Sequence, residues 1–281
     1  MTNQSEHEAW VEEVWHTYLT TGKIKHSDMP GLSPKSLQRL MSRLPAEPRC
    51  RLCQTPFHGV GGTLVRLVLD RGPSRLNPQI CNACEQFAQA YQGGAEVEMS
   101  MLFADVRGST RLAEGMSPSD FSQLINRFYK VATRILFRAH AMVEKIIGDE
   151  VTGLFVPGFA GAAHARAAIE AAQAILEATG HNDPGGPWVP VGIGVHTGVA
   201  FMGAVGSEES VVDIVALGDA VNMAAHLASQ AGRGEVLVSA TTGEAAGLDT
   251  GQLETRRLQL KSRTEQVNAY VVGIESDLST E

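Results

Sequence analysis

Apolar residues recur at helical spacing near the start of the chain. Six of them form one stripe: Trp10, Val11, Trp15, Val14, Tyr18 and Leu19. This stripe predicts an amphipathic helix that docks on its own domain or on a partner subunit and ends at Gly22. A second, short helix is predicted from Ser33, with Pro34 at its first position, to Leu44.

From Ala95 onward the pattern changes, because strands and longer helices alternate. Residues 97 to 105 read as a strand, and Ser117-Pro118 opens a long helix. The apolar face of that helix comprises Phe121, Leu124, Ile125, Phe128, Ala132, Ile135 and Leu136. A hairpin over about 141 to 156, turning at Gly148-Asp149, and an Ala-rich helix over about 161 to 178 follow.

The last hundred residues are predicted to hold mainly strands. VPVGIGVHTG and AFMGAVG read as a strand pair around Gly198, and EVLVS, RRLQL and NAYVVG read as three further strands. Between them, VALGDAVNMAAHLA predicts a strand followed by a helix capped by Asp219, on which Asn222 and His226 share one face.

This order of elements is that of an α+β fold, a ferredoxin-like βαββαβ sandwich with appended strands. We expect it to be preceded by a small helical domain that binds metal through four cysteines. Gly93-Gly94 marks the predicted boundary. The expected domains are a helical segment over 1–48, a cysteine module over 49–92 and the α+β domain over 95–275.

The four cysteines form two C-x-x-C pairs separated by 27 residues: Cys50 and Cys53, and Cys81 and Cys84. This pattern is typical of a tetrahedral four-thiolate site, and it favours structural Zn²⁺ over an iron–sulfur cluster or redox disulfides, which stay open as alternatives. Gly59, Gly61 and Gly62 are expected to give the intervening segment turning freedom, and His58 is an additional ligand that the site does not need.

Composition narrows the classes of function. A net charge of −8 gives no basic surface for nucleic acid or an anionic membrane. The N-terminus lacks the pattern of a signal peptide, and no run of apolar residues has the length of a membrane span, so we expect a cytoplasmic protein. A polyanionic ligand would therefore need metal ions or a local basic pocket.

Two aspartates carry the candidate chemistry. Asp105 closes the first predicted strand of the α+β domain, and Asp149 lies in the hairpin turn. Because the first and third strands are neighbours in the expected topology, the two carboxylates can meet at one end of the sheet, where they suit Mg²⁺ or Mn²⁺. Gly108, Ser109 and Thr110 follow Asp105 into a turn whose backbone N–H groups can cradle phosphate.

Five ordered motifs make this sequence resemble the class III nucleotide cyclases, the adenylate and guanylate cyclases. They are FADVRGST, the K-x-x-G-D of Lys145 to Asp149, VGIGVHTG, LGDAVNMAA and RLQLK, and they cover the C-terminal two thirds of the chain. The resemblance implies that Asp105 and Asp149 hold two metal ions. These ions activate the ribose 3′-hydroxyl for attack on the α-phosphate and neutralise the leaving pyrophosphate.

The same resemblance assigns roles to three further residues. Lys145 matches the lysine that contacts the purine, Asn222 the asparagine that orients the ribose, and Lys261 the lysine that binds the triphosphate. Members of this family build each site from two subunits, which implies a homodimer with two composite, symmetry-related sites.

Two positions depart from the family pattern. Where these enzymes usually carry an arginine that stabilises charge on the α-phosphate, this chain has His226, and where adenylate cyclases have an acceptor for the adenine amino group, it has Val215. An imidazolium keeps part of the arginine's effect, so the expectation is a slow cyclase whose rate falls as His226 deprotonates. Base choice stays open, with ATP favoured by Lys145 and GTP or pyrimidine nucleotides as alternatives.

Two hypotheses from different classes follow. In the first, the chain is a homodimeric two-metal cyclase that makes a 3′,5′-cyclic nucleotide, with intact Asp105 and Asp149 in its favour. In the second, it is a catalytically degenerate module that binds nucleotide and signals by rearrangement, which His226 and Val215 favour.

Overall fold

The computed structural model describes residues 2–23, 39–41, 43–44, 48–75, 78–206, 213–259 and 266–274. Its helices are α1 (Thr2–Thr21), α2 (Gly59–Leu69), α3 (Asn82–Ala90), α4 (Ser109–Glu114), α5 (Pro118–Arg138), α6 (Pro157–Ala160), α7 (His164–Ala178), α8 (Asp219–Gln230) and α9 (Ala240–Ala246). Its strands are β1 (Gly93–Val106), β2 (Met142–Ile147), β3 (Glu150–Phe155), β4 (Val191–Val205), β5 (Asp213–Leu217), β6 (Val236–Ser239), β7 (Glu254–Gln259) and β8 (Gln266–Val272).

These elements fall into two units. The first comprises Met1–Val97, Val156–Phe159 and Ala200–Leu217, and the second comprises Glu98–Phe155, Ala160–Val199 and Gly218–Glu281. The division therefore cuts β1 and β4 within their length. Among the helices described, none combines the length and the apolar content needed to cross a membrane.

In the first unit, α1 docks through an aromatic cluster, as its stripe predicts. The rings of Trp15 and Phe87 meet edge to face at 4.9 Å, and the Trp15 indole donates a hydrogen bond of 2.9 Å to the carbonyl of Tyr91. Tyr18 packs edge to face on Phe159 at 5.0 Å. The helix ends before Gly22, whose φ of 65° suits glycine. The partner of the stripe is therefore the chain's own α3 and α6.

The second unit contains the expected sandwich. Its strands follow the order β2-β3-β1-β4-β6-β8-β7, and β1 with β3 and β2 with β3 are antiparallel. The first four strands in this order are those of a ferredoxin-like sheet, and β6, β8 and β7 are the appended strands. The predicted α+β fold is confirmed. The part of β4 that belongs to the first unit pairs antiparallel with β5, from Phe201 opposite Leu217 to Val205 opposite Asp213.

Helices cover both faces of this sheet. On one face, α5 and α7 pack against β1 and β3, and the buried residues include Phe128, Leu136, Ile169, Leu102 and Phe155. On the other face, Met223 and Leu227 of α8 pack with Leu237 of β6 and Leu258 of β7. Leu237 and its neighbour Val238 point to opposite faces because side chains alternate along a strand. The site residues of β1 and α8 are thus supported by two separate clusters of buried residues, one on each face of the sheet.

Three details of the predicted elements were wrong. The two strands predicted around Gly198 are one continuous strand, β4, because the glycine is needed for close packing and makes no turn: a Cβ there would lie 3.1 Å from both Ala220 Cβ and His196 Nε2. The Ala-rich helix begins at His164, three residues later than predicted. Gly218, with a φ of 136°, caps α8, and Asp219 is its first helical residue.

The glycine-rich segment between the cysteine pairs is a helix, α2, where turning freedom was expected. Gly62 packs on the backbone of Phe57, and a Cβ there would lie 2.6 Å from its carbonyl carbon. The glycines therefore allow a close approach of helix and loop. The helix predicted from Ser33 to Leu44 lies mostly outside the described residues. Within that range, residues 39–41 are described and helical.

The approach of α8 to β4 depends on Gly194, which gives a first prediction. A Cβ at this residue would lie 2.2 Å from the Ala228 nitrogen and 2.5 Å from the Ala224 carbonyl oxygen, both fixed in the helix backbone. We expect Gly194→Ala to lower the free energy of unfolding by about 1–3 kcal/mol, as measured by urea denaturation. Gly185→Ala is the matched control, since a Cβ there meets nothing within 4 Å. Equal stability of the two variants would contradict this packing.

Candidate active site and metal centre

Strand pairing brings the two aspartates to one end of the sheet. The antiparallel register of β1 and β3 places Asp105 opposite Glu150, and the Val106 N–H donates a hydrogen bond of 3.1 Å to the carbonyl of Asp149. Asp149 itself lies in the β2–β3 turn after Gly148, whose φ is 62°. Glu150 adds a third carboxylate that sequence reasoning missed, although its place directly after Asp149 in the hairpin was the available signal.

One arginine lies among these carboxylates. Arg107 forms an ion pair with Asp105, and the two side chains are 19% and 24% exposed. Burial lowers the pKa of Arg107, while the negative charges of Asp149 and Glu150 act in the opposite direction. Burial, together with Asp149, raises the pKa of Tyr129, whose hydroxyl donates to the Gly148 carbonyl. Three carboxylates against one cation make this end of the sheet negative, and their oxygens are of the type that Mg²⁺ or Mn²⁺ prefers. Among the described residues, however, only the four cysteines bring three or more ligand atoms close enough together to hold an ion in this conformation.

The loop after Asp105 turns directly into α4. Gly108 adopts φ 70° and ψ 27°, a left-handed conformation, and a Cβ there would meet nothing within 4 Å. Glycine is therefore favoured here by its backbone conformation, since there is room for a side chain. Its carbonyl accepts a hydrogen bond of 3.0 Å from Leu112. Ser109 and Thr110 are the first two residues of the helix, where backbone N–H groups have no partner within a helix. These backbone donors thus lie three and four residues beyond Val106, the last residue of β1.

Helix α8 carries the other two candidate residues of this unit. Asn222 is exposed. His226 is half-buried, and among the described residues its Nε2 is a buried atom without a hydrogen-bond partner. Arg107 fixes the position of the helix relative to Asp105, because its Nη1 donates 3.1 Å to the carbonyl of Ser229. Asn222 lies seven residues, about two turns or roughly 10 Å, before that carbonyl.

The remaining residues predicted to contact the nucleotide lie on other strands or outside the described residues. Lys145 lies on β2 opposite Thr152 of β3, just after an irregularity in the register between residues 143 and 145. Val215 lies on β5 in the first unit, opposite Gly203, and is half-buried. Lys261 lies outside the described residues.

The first unit contains the cysteine group. Cys50, Cys53, Cys81 and Cys84 are fully buried, and their sulfur atoms all lie within 4.8 Å of one another. The Cys50 and Cys84 sulfurs are 3.8 Å apart, and those of Cys53 and Cys81 are 3.5 Å apart. Such a group of four thiols can hold a metal ion. His58, exposed at the start of α2, is not part of it.

Backbone geometry supports the four sulfurs. Cys81 caps α3, with its sulfur accepting from the Cys84 N–H at 3.5 Å, and the Cys81 N–H donates to the Cys50 sulfur at 3.3 Å. Burial alone would raise the pKa of Cys53, but hydrogen bonds from the other thiols and from Thr55 lower it well below its usual value. At Cys53 these donors favour thiolate, the form of cysteine that binds metal, whereas the pKa of Cys50 is raised by burial and that of Cys84 by hydrogen bonding to the other thiols and by burial.

Comparisons with known proteins agree with this architecture. Residues 93–272 match the family model of the adenylate and guanylate cyclase catalytic domain. An adenylate cyclase of Anabaena cylindrica is 34% identical over 134 residues, which are 46% of this chain and 26% of that protein. The chain thus spans about a quarter of the length of that curated relative.

Two solved structures have the same fold. The crystal structure of the guanylyl cyclase Cya2 superimposes with a TM-score of 0.57 at 25% identity, over 64% of this chain and 93% of its own. That of the adenylyl cyclase CyaB from P. aeruginosa gives 0.55 at 23% identity, over 63% and 94%. Since the family model covers well over half of the residues, the chain belongs to the family of adenylate and guanylate cyclase catalytic domains.

Proposed function

We propose that this protein is a nucleotide cyclase that converts a nucleoside triphosphate, with ATP favoured, to a 3′,5′-cyclic nucleotide and pyrophosphate. The observation that carries the proposal is the register of β1 and β3, which gathers Asp105, Asp149 and Glu150 at one end of the sheet. The match to the cyclase family supports the reaction class. In this proposal the domain over 95–275 is catalytic, and the segments over 1–48 and 49–92 are a helical region and a metal module.

Asp105 and Asp149 would hold Mg²⁺ or Mn²⁺, for which their partly exposed carboxylate oxygens are suited. When bound, such ions lower the pKa of the attacking ribose hydroxyl and neutralise charge on the leaving pyrophosphate. The first-turn amides of Ser109 and Thr110, after the bend at Gly108, would bind phosphate oxygens. Because these donors belong to the backbone at the start of α4, binding would require no side chain to change its position.

The residues of α8 and the two lysines would bind the rest of the nucleotide. Asn222 would orient the ribose, and His226 would donate a hydrogen bond from its Nε2–H to an oxygen of the α-phosphate. Lys145 would contact the purine, and Lys261 the triphosphate. Support for His226 comes from its buried nitrogen, since a buried polar atom without a partner costs about 1–3 kcal/mol unless a ligand satisfies it.

We further propose that the active form is a homodimer with two composite sites. Within one chain, Asp105 is tied to the C-terminal end of α8, whereas Asn222 lies about two turns earlier. A site that uses the aspartates of one subunit and Asn222 of the other avoids this separation. Such an arrangement has two-fold symmetry, so each dimer holds two equivalent sites.

A second candidate function is a nucleotide-binding regulatory module without catalysis. The observation that favours it is Val215, a half-buried apolar residue where an acceptor for the base would be expected. An apolar pocket discriminates weakly between bases, because it leaves no polar group unpaired when the wrong base binds. The two candidates differ in whether cyclic nucleotide and pyrophosphate are formed.

The cyclase proposal predicts turnover that depends on Asp149. With Mn²⁺ and the four nucleoside triphosphates in competition, wild type should form cyclic nucleotide and pyrophosphate in equal amounts. Asp149→Asn should lower this rate by at least about 100-fold, because the neutral amide cannot replace a carboxylate ligand. Binding of nucleotide with no product in wild type would establish the regulatory module instead, and a clear preference for GTP would contradict the role given to Lys145.

The role of His226 predicts a gain of function. We expect His226→Arg to raise kcat by about tenfold or more, since a forked guanidinium stabilises phosphate charge better than a single imidazole donor. His226→Ala should lower kcat below wild type. Thermal unfolding curves of the wild type and both variants show whether a change in kcat comes from a change in stability. An arginine variant no faster than wild type would place His226 away from the reacting phosphate.

For the cysteine group we propose structural Zn²⁺. Four buried sulfurs with backbone N–H donors and no open ligand position suit a closed tetrahedral site. Elemental analysis of the purified protein should find about one zinc per chain. Cys84→Ser should lose the zinc and unfold at a lower temperature. His58→Ala is the control and should keep the zinc. A brown, iron-containing sample would show an iron–sulfur cluster, and metal-free protein with two disulfides would exclude both ions.

A further inference from the structure

Arg107 bridges two parts of the catalytic unit that are 120 or more residues apart in sequence. One Nη atom pairs with the Asp105 carboxylate. The other donates to the carbonyls of Ser229 at 3.1 Å and Ala231 at 3.5 Å, at the C-terminal end of α8. The backbone N–H of Arg107 donates a hydrogen bond of 2.8 Å to the carbonyl of Pro190. This bond fixes the backbone from which the side chain extends.

The fold leaves room for this side chain at Gly192 of β4. A Cβ at Gly192 would lie 3.0 Å from Arg107 Cδ and 2.8 Å from the Ala231 carbonyl oxygen. The guanidinium is mostly buried, and its Nε has no hydrogen-bond partner among the described residues. Burial of an arginine with an unsatisfied N–H is unfavourable. The arrangement therefore rests on the two contacts that the Nη atoms make.

Both contacts are electrostatically favourable. The last carbonyls of a helix carry partial negative charge, so a cation there stabilises the helix end. Asp105 is a full negative charge beside two other carboxylates, and Arg107 reduces their mutual repulsion. A lysine offers a single point charge and cannot bond both groups with the geometry of a guanidinium.

We propose that Arg107 is a positioning residue that couples the two active sites of the dimer. This inference rests on the proposed function, in which Asp105 serves one composite site and the α8 helix of the same subunit serves the other. Because Arg107 joins the two, a change at the Asp105 end alters the support of α8, and a shift of α8 alters the support of Asp105. The arginine thus acts on the reaction through Asp105 and through Asn222 and His226, without contacting the nucleotide.

Mixed dimers with a single working site test this coupling. If the first subunit carries Asp149→Asn, the working site combines the aspartates of the second subunit with α8 of the first. Arg107→Met in the second subunit should raise the Mn²⁺ concentration needed for half-maximal activity and lower turnover, each by about tenfold. This is the size of effect seen when a group that supports a metal ligand is removed. Arg107→Met in the first subunit should also lower turnover, with a higher KM for the nucleotide and an unchanged Mn²⁺ dependence.

Arg138→Met is the matched control, since Arg138 is an exposed arginine at the end of α5. If Arg107→Met in the first subunit behaves like this control, Arg107 acts on its own Asp105 alone and the coupling is refuted. Arg107→Lys in that subunit should recover only part of the loss. Direct binding of Mn²⁺ by electron paramagnetic resonance and of a non-cyclisable ATP analogue gives a readout independent of turnover.

These measurements separate the two proposals. If wild-type dimers make no cyclic nucleotide, the cyclase proposal fails, and the coupling is then judged by analogue binding in the same mixed dimers. Weaker analogue binding with Arg107→Met in the first subunit than with Arg138→Met would support the coupling, and equal binding would overturn it. The midpoints of thermal unfolding, measured for every variant, separate a loss of stability from a loss of coupling.

Discussion

The antiparallel pairing of β1 with β3 is the constraint on which the catalytic half of this chain depends. It places Asp105 opposite Glu150 and draws the Asp149 carbonyl onto the Val106 N–H. A slip of one residue would turn Asp105 toward α5 and α7, because side chains alternate between the faces of a strand. Leu102, Ala104 and Val106 oppose such a slip, since all three are buried in the core under those helices. Burial of one face thus fixes the chemistry of the other.

A second constraint is the close contact between α8 and β4. Gly194 and Gly198 lack the side chains that would hold the helix away, and Gly192 leaves space for Arg107 at the end of the same strand. Gly192, Gly194 and Gly198 lie on the same face of the strand, since side chains alternate, and they therefore admit the helix and the arginine on that face. The motif VGIGVHTG was expected to be a strand, which the structure confirms. Its glycines also form the surface on which α8 packs, a role that the strand pattern alone does not indicate.

Much of the fold could be predicted because its signals are local. The α5 helix begins at the predicted cap, where Ser117 accepts from the Asp120 N–H, and the β2–β3 hairpin turns at Gly148 as expected. The irregularity at Glu144 could not be predicted. It shifts the register so that Lys145 lies opposite Thr152, and Glu144 itself is buried. Such a shift depends on how three strands fit together, which no local pattern contains.

The contacts that matter most for the site also come from distant parts of the sequence. Arg107 was part of a recognised motif, yet nothing in FADVRGST indicates a bond to Ser229, because helix and strand meet only in the folded chain. Likewise, the apolar pattern of α8 shows that His226 is an exception without showing whether its ring finds a partner. In the structure Nε2 finds none among the described residues.

That unpartnered nitrogen bears on the choice between enzyme and regulatory module. A buried polar atom without a hydrogen bond destabilises a fold by about 1–3 kcal/mol, so an apolar residue at this place would make a more stable helix packing. A module that only binds nucleotide and a cyclase could each satisfy this nitrogen with a phosphate oxygen. Only the proposed cyclase would also use it to stabilise charge that develops on the phosphate during the reaction. A buried donor at this place is therefore a reason to expect a bound phosphate group under either proposal, and a catalytic role for it belongs to the cyclase proposal alone.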